Sequence, residues 1–150
     1  MFHLYGSGHV CENQKGVKGM GEDNLHSFQK LVSELLLRHR SFLDVVSKFQ
    51  ESNSRVNRAL MKAVTECGCL HVEAGRQNFP KERSVHEWKD HLKTHLSGRL
   101  CDHCLEIVKA EMGKNLFYLT ALCNLLNIPL TDVVKQESDQ LSTLGVFNLR

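Results

Sequence analysis

Residues 100–127 read LCDHCLEIVKAEMGKNLFYLTALCNLLN, and the organisation of the chain follows outward from them. Cys104, Ile107, Val108, Met112, Leu116, Leu119, Leu122 and Leu126 recur mostly at steps of three and four, which lines one face of a helix with apolar side chains. The spacing predicts a long central helix from about Leu100 to Asn127. Pro129, which has no amide hydrogen to donate, stops it. Thr131 can cap a further helix through Val134 to Leu141.

Upstream, Leu25, Phe28, Val32, Leu35, Phe42, Val46 and Phe49 alternate at steps of three and four from Asp23 onward, with His39 filling the one gap. That stripe predicts one long first helix. Ser52 or Ser54 can cap a second, whose stripe runs through Val56, Leu60, Val64 and Cys67 towards Gly75. A short third helix is expected from Ser84, where Ser84 and Glu87 fit a capping box, through Trp88, Leu92 and His95 to Gly98. No stretch alternates with period two over strand length, and no Asn-Gly or Asp-Gly turn separates apolar runs. The expected fold is an all-α bundle of four to five helices. Residues 1–21 hold five of the ten glycines and no period, so they read as a disordered leader before a single domain spanning residues 22–150.

A chain of 150 residues, 41% hydrophobic and 24% charged, holds one core and excludes two independent catalytic domains. Nineteen Lys plus Arg against 17 Asp plus Glu leave a formal charge of +2, so no strong field argues for nucleic acid or a membrane surface. The apolar run from Leu116 to Leu130 is interrupted by Thr120, Asn124, Asn127 and Pro129 and falls short of the roughly 20 residues a membrane helix needs. Nothing in the first twenty residues resembles a secretory signal, and a cytoplasmic location is expected.

Six cysteines are unusual for a reducing compartment, where they serve metal binding or catalysis more often than disulfides. Cys67-Gly68-Cys69 and Cys101-Asp102-His103-Cys104 supply the four thiolates of a tetrahedral structural zinc site. Cys101 and Cys104, three apart, lie on one side of the first turn of their helix, where the dipole favours thiolate. Cys67 and Cys69 can share an ion only if the helix loosens at Gly68. If it stays regular, His95 or His103 becomes the fourth ligand. Competing uses of these thiols are a redox dithiol pair, plain buried cysteine, and an iron–sulfur cluster. Cys123 lies on the apolar stripe and reads as core. His86, His91, His95 and His103 form a looser cluster without the pattern of a zinc hydrolase.

Two further segments carry a family resemblance. Glu111-Met112-Gly113-Lys114, followed by Leu116-Phe117-Tyr118-Leu119 and the exit Leu126-Asn127-Ile128-Pro129-Leu130, resembles the second metal-binding helix of the MazG-like all-α nucleoside triphosphate pyrophosphohydrolases. Glu66-Cys67-Gly68-Cys69 resembles the earlier Glu-x-x-Glu motif of that family, and together the likeness covers roughly residues 55–75 and 105–138. It implies a helical bundle that dimerises and binds nucleotides, with Glu66 and Glu111 as catalytic ligands of Mg²⁺ where hydrolysis is retained. The second motif positions are Cys69 and Lys114, a poor ligand and a cation. Glu73 and Glu106 are the nearby acids that could substitute. The resulting expectation is a divergent member that has exchanged a hard-metal catalytic site for a zinc site and binds a nucleotide or protein partner as a homo-oligomer. The alternatives are an active pyrophosphohydrolase and a thiol-based redox or metal sensor.

Overall fold

The computed structural model describes residues 17–38, 40–79, 88 and 91–145. It is a helical bundle with four helices in these residues: α1 (Val17–Leu35), α2 (Phe42–Thr65), α3 (Asp102–Leu125) and α4 (Leu130–Leu144). A two-stranded ribbon, β1 (Leu70–Val72) and β2 (Leu96–Gly98), lies between α2 and α3. The all-α class therefore holds, with this small addition. No single helix among the described residues is long and apolar enough to cross a membrane.

The predicted boundaries shift for identifiable reasons. The expected long first helix is two helices, because the chain turns between Leu35 and Phe42, with Ser41 extended at φ −70°, ψ 135° as the N-cap of α2. Ser41 and Asp44 carry the spacing of a capping box, a start signal hidden under the continuing apolar period. The serines expected to cap a second helix sit instead in the middle of α2. Their hydroxyls turn back onto the helix, Ser52 to the Phe49 carbonyl at 2.7 Å and Ser54 to that of Gln50 at 3.3 Å, so they do not break it. Residues 17–21, read as leader, are the first residues of α1; the rest of the leader, with Cys11, lies outside the described residues. So does most of the short helix expected from Ser84, including His86. Its predicted end is corrected, since His95 precedes β2 and Gly98 belongs to it.

The strands pair antiparallel, Leu70 with Gly98, His71 with Ser97 and Val72 with Leu96. Beyond them the Glu73 N–H donates to the His95 carbonyl at 3.0 Å, and the Gln77 side-chain amide bonds both backbone groups of Lys93. Three residues per strand are too few for alternation to be visible in a sequence.

α2 and α3 form the most extensive pairing among the described residues. They run antiparallel, since Ser52 meets Asn115 through a 3.1 Å hydrogen bond while Cys67 meets Cys101. Two buried clusters lie along this pair. At one end Val32 of α1, Val45 of α2 and Ala121 of α3 pack with Phe28, Phe117 and Tyr118. At the other, Ala63, Leu70 and Cys104 pack with Val64 and Leu100.

α3 ends in a left-handed cap. Asn127 takes φ 55°, the Ile128 N–H returns to the Cys123 carbonyl at 2.9 Å, and the Asn127 N–H to that of Asn124 at 3.3 Å. Pro129, not Thr131, then caps α4. Gln29 of α1 holds this turn: its Nε2 donates to the Ile128 carbonyl at 2.9 Å and its Oε1 accepts from the Leu130 N–H at 2.7 Å.

Candidate metal centre

α2 ends four residues before the ribbon begins, and those four residues carry the first cysteine pair. The Glu66 and Cys67 N–H groups both donate to the Lys62 carbonyl at 3.0 Å, closing the last turn. Gly68 then adopts φ 70°, the left-handed region that a Cβ disfavours. This reversal is the loosening that the spacing of Cys67 and Cys69 demanded. A regular helix would have sent the two side chains to nearly opposite faces.

The ribbon positions the second pair. Gly98 takes φ 82°, and the Arg99 N–H donates to the Cys69 carbonyl at 3.1 Å. A Cβ on Gly98 would stand 2.5 Å from that same carbonyl oxygen, so only glycine lets the strands approach here. Leu100 and Cys101 follow directly, with Cys101 extended at the N-cap of α3 and Cys104 one turn in.

These elements bring the Sγ atoms of Cys67, Cys69, Cys101 and Cys104 within 4.8 Å of one another, and the four could hold a metal ion. The Cys67 and Cys101 sulfurs are 3.7 Å apart. A tetrahedral zinc–thiolate site, with bonds of about 2.3 Å, has sulfur–sulfur edges of about 3.8 Å. The cysteines are free thiols graded in burial, from exposed Cys67 through half-buried Cys69 and Cys101 to buried Cys104.

Their electrostatics are graded as well. The Cys104 N–H at the open first turn of α3, assisted by the Cys104 and Cys67 thiols, lowers the Cys101 pKa to about 7, although Cys101 makes no geometric capping bond. Burial, reinforced by hydrogen bonding from the neighbouring thiols, pushes Cys104 up to about 12. For Cys67 the Cys104 thiol favours the charged form, but Cys101, Cys69 and burial together outweigh it and the pKa is raised.

The other residues singled out in the sequence lie elsewhere. Neither His95, at φ 56° before β2, nor exposed His103 contributes to the four-sulfur group. Cys123 is buried in α3, and burial raises its pKa. Glu66 is exposed and pairs with Lys62 at 3.0 Å; Glu106 is exposed and pairs with Lys109 at 2.9 Å. Glu73 is exposed beside the ribbon. Glu111 pairs with Lys114 at 2.7 Å, and its other oxygen is buried without a hydrogen-bond partner. The structure does not bring Glu66 and Glu111 to one point. With Ser52 level with Asn115, Glu111 stands opposite Arg55 and Val56, and ten or more residues of α2 separate it from Glu66, about 15 Å at 1.5 Å per residue.

A charged pocket of ≈ 310 Å³ lies between α2 and α3, lined among others by Lys48, Glu51, Arg55 and Lys114, the lysine that pairs with Glu111. Glu51 accepts from Lys48 at 2.7 Å and from Arg55 at 2.7 Å. Those two bonds hold its carboxyl below the usual range. Sequence reading did not single out Lys48 or Glu51; the signal was the i, i+3 and i+4 spacing of Lys48, Glu51 and Arg55. No family model matches the chain, and no curated protein or solved structure is significantly similar to it.

Proposed function

We propose that Cys67, Cys69, Cys101 and Cys104 hold one structural zinc ion, and that the chain is a non-catalytic helical module of MazG-like build that works by binding a nucleotide or protein partner. One observation carries the metal assignment: four thiol sulfurs from two separate segments converge within 4.8 Å. A soft, four-thiolate donor set suits zinc and leaves no open coordination position for substrate or water. Such an ion ties the end of α2, the ribbon and the start of α3 together, beside a buried cluster of only three described residues, Ala63, Leu70 and Cys104.

The non-catalytic part rests on the acids. Hard-metal hydrolysis needs several carboxylates around one ion, and here Glu66 and Glu111 are each neutralised by a lysine at separate levels of the bundle. The build itself is supported by the resemblance in residues 55–75 and 105–138.

Elemental analysis of untagged protein tests the centre. Zinc at one equivalent per chain is expected, with loss of that equivalent in Cys101→Ser and retention in Cys123→Ser. Iron with a visible charge-transfer spectrum would replace zinc by a cluster, and protein free of both metals would overturn the proposal.

A further inference from the structure

The four sulfurs of the cysteine cluster are not equally reachable. Cys67 is exposed just past the end of α2, beside the left-handed turn at Gly68, where even an added Cβ would meet nothing within 4 Å. Cys101 borders an open hollow of ≈ 740 Å³ that it shares with Arg99, Leu100, Asp102 and Leu105. These two sulfurs lie 3.7 Å apart. The other two are held inward. Cys104 is 8% exposed and packs with Ala63 and Leu70, and the Cys69 thiol donates to the Ala63 carbonyl at 3.7 Å. The cluster thus has an outer pair, Cys67 and Cys101, and an inner pair, Cys69 and Cys104. Each pair takes one sulfur from either side of the junction between α2 and α3.

We propose that Cys67 and Cys101 form a modification site for hydroperoxides, oxidised together to a disulfide that releases the metal and keeps the junction cross-linked. The release rests on the zinc reading above; the pairing rests on the placement of the thiols alone. Ligation holds both sulfurs as thiolates. The Cys67 sulfur attacks the terminal oxygen of the hydroperoxide, an S–O bond forms, the O–O bond breaks, and the departing alkoxide or hydroxide takes a proton from solvent. The Cys101 sulfur then attacks the sulfur of the Cys67 sulfenic acid, forming the S–S bond and expelling hydroxide, which is protonated to water. Two thiolates, one hydroperoxide and two protons become one disulfide, one alcohol (water, where the oxidant is hydrogen peroxide) and one water. Two electrons pass from sulfur to the peroxide.

Closing the sulfurs from 3.7 Å to a bond of about 2.05 Å takes a movement of less than about 2 Å, which the exposed Cys67 side chain makes at an uncrowded turn. With two of four ligands consumed, the inner thiolates no longer complete a tetrahedral site. The new bond joins residues 34 positions apart where the ion had joined them, so it restrains the same loop. Oxidation exchanges one cross-link for another, and its signature is loss of metal without loss of structure. The shielded Cys69 and Cys104 stay reduced, and a dithiol reductant that takes the disulfide apart by exchange restores the full ligand set.

Stoichiometric hydrogen peroxide added to the full, zinc-loaded chain tests this. The six thiols should fall to four, one equivalent of zinc should reach a chromogenic chelator, and peptide mapping by mass spectrometry should find Cys67 joined to Cys101. Helicity by circular dichroism should not change, and the oxidised chain should melt about 5 °C or more above the reduced chain stripped of metal. Cys123→Ser should respond as the wild type does. Cys69→Ser should still join Cys67 to Cys101, with or without bound zinc. A bond within one segment, Cys67 to Cys69 or Cys101 to Cys104, overturns the inference. So does zinc retained with six free thiols, or helicity lost on oxidation. A chain purified without zinc overturns the metal reading alone, and mapping of its peroxide product still decides the pairing.

Discussion

The side-chain amide of Asn115 donates to the hydroxyl of Ser52 across 3.1 Å, joining α3 to α2 at residues 63 positions apart. Ser52 is 2% exposed, and its hydroxyl in turn donates a hydrogen bond to the Phe49 carbonyl. Fifteen residues separate Ser52 from Cys67 and fourteen separate Asn115 from Cys101, so this hydrogen bond and the four-sulfur cluster mark the same helix register at two levels. Ser52→Ala should cost about 1–2 kcal/mol in urea denaturation, because it strands the Asn115 amide in a partly buried position. The metal stoichiometry should not change.

Gly98 and Gly68 both have positive φ, but their surroundings differ. A Cβ at Gly98 meets the Cys69 carbonyl, whereas one at Gly68 meets nothing within 4 Å. Gly68→Ala should therefore cost only backbone strain, about 1 kcal/mol. Gly98→Ala should cost clearly more, about 2–3 kcal/mol, and should weaken metal binding by displacing Cys69. Denaturation midpoints and competition with a chelating dye rank the two variants.

Gln29 is the side chain that docks α1 onto the α3–α4 turn, since it answers one donor and one acceptor there. Gln29→Ala leaves both unmet by protein and should destabilise by about 1–2 kcal/mol. Amide hydrogen exchange should rise first at Ile128 to Leu130, while the ribbon and the cysteine loop stay protected. Uniform loosening of the whole chain would contradict this account.

Glu51 supplies a pH-dependent contribution whose sign follows from its depressed pKa. Lys48 and Arg55 hold the folded value below the ordinary 4.5. Its stabilisation is present above that ordinary value and is lost as pH falls through the lower folded one. In Glu51→Gln the stability profile should be flatter in that acidic window, lying slightly below the wild type near neutrality and converging with it at lower pH. Added salt should shrink the difference, because the groups are solvent-exposed.

Removal of the metal should loosen the cysteine end of the bundle first. Treatment with a strong chelator should lower the melting temperature by about 10 °C, and one equivalent of zinc should restore it. On the acids, pyrophosphate release from nucleoside triphosphates with Mg²⁺ or Mn²⁺ should be absent. Turnover that Glu111→Gln abolishes would restore the hydrolase reading.

The four-cysteine cluster was legible in the sequence because ligand chemistry is concentrated in a few residue types at short spacings. The Cys-x-Cys pair even carried its own geometric objection, which Gly68 resolves. Helix content was legible for the same kind of reason, from the period of Val32, Val46 and Leu116. Boundaries were less so: the apolar period ran on through the turn between α1 and α2, and Ser52 looked like a cap although its hydroxyl is satisfied within the helix. The pairing of Glu66 with Glu111 was a match of motifs that took no account of rise along the helix, which sets them far apart. The strands were invisible because six residues held by backbone bonds leave no compositional trace.

The ribbon has a consequence for how the chain can change. Val72 and Leu96 are partners in its register, so the twenty-three residues between them leave and re-enter the bundle at adjacent points. Closing a loop whose ends are already held together depends only weakly on its length, about 0.6 kcal/mol for each doubling. Insertions between Gln77 and Lys93, beyond the bonds that join those two residues, should therefore add little closure cost to the ribbon and the cysteine cluster. The fold presents a segment that can diversify while the framework beneath it stays constant.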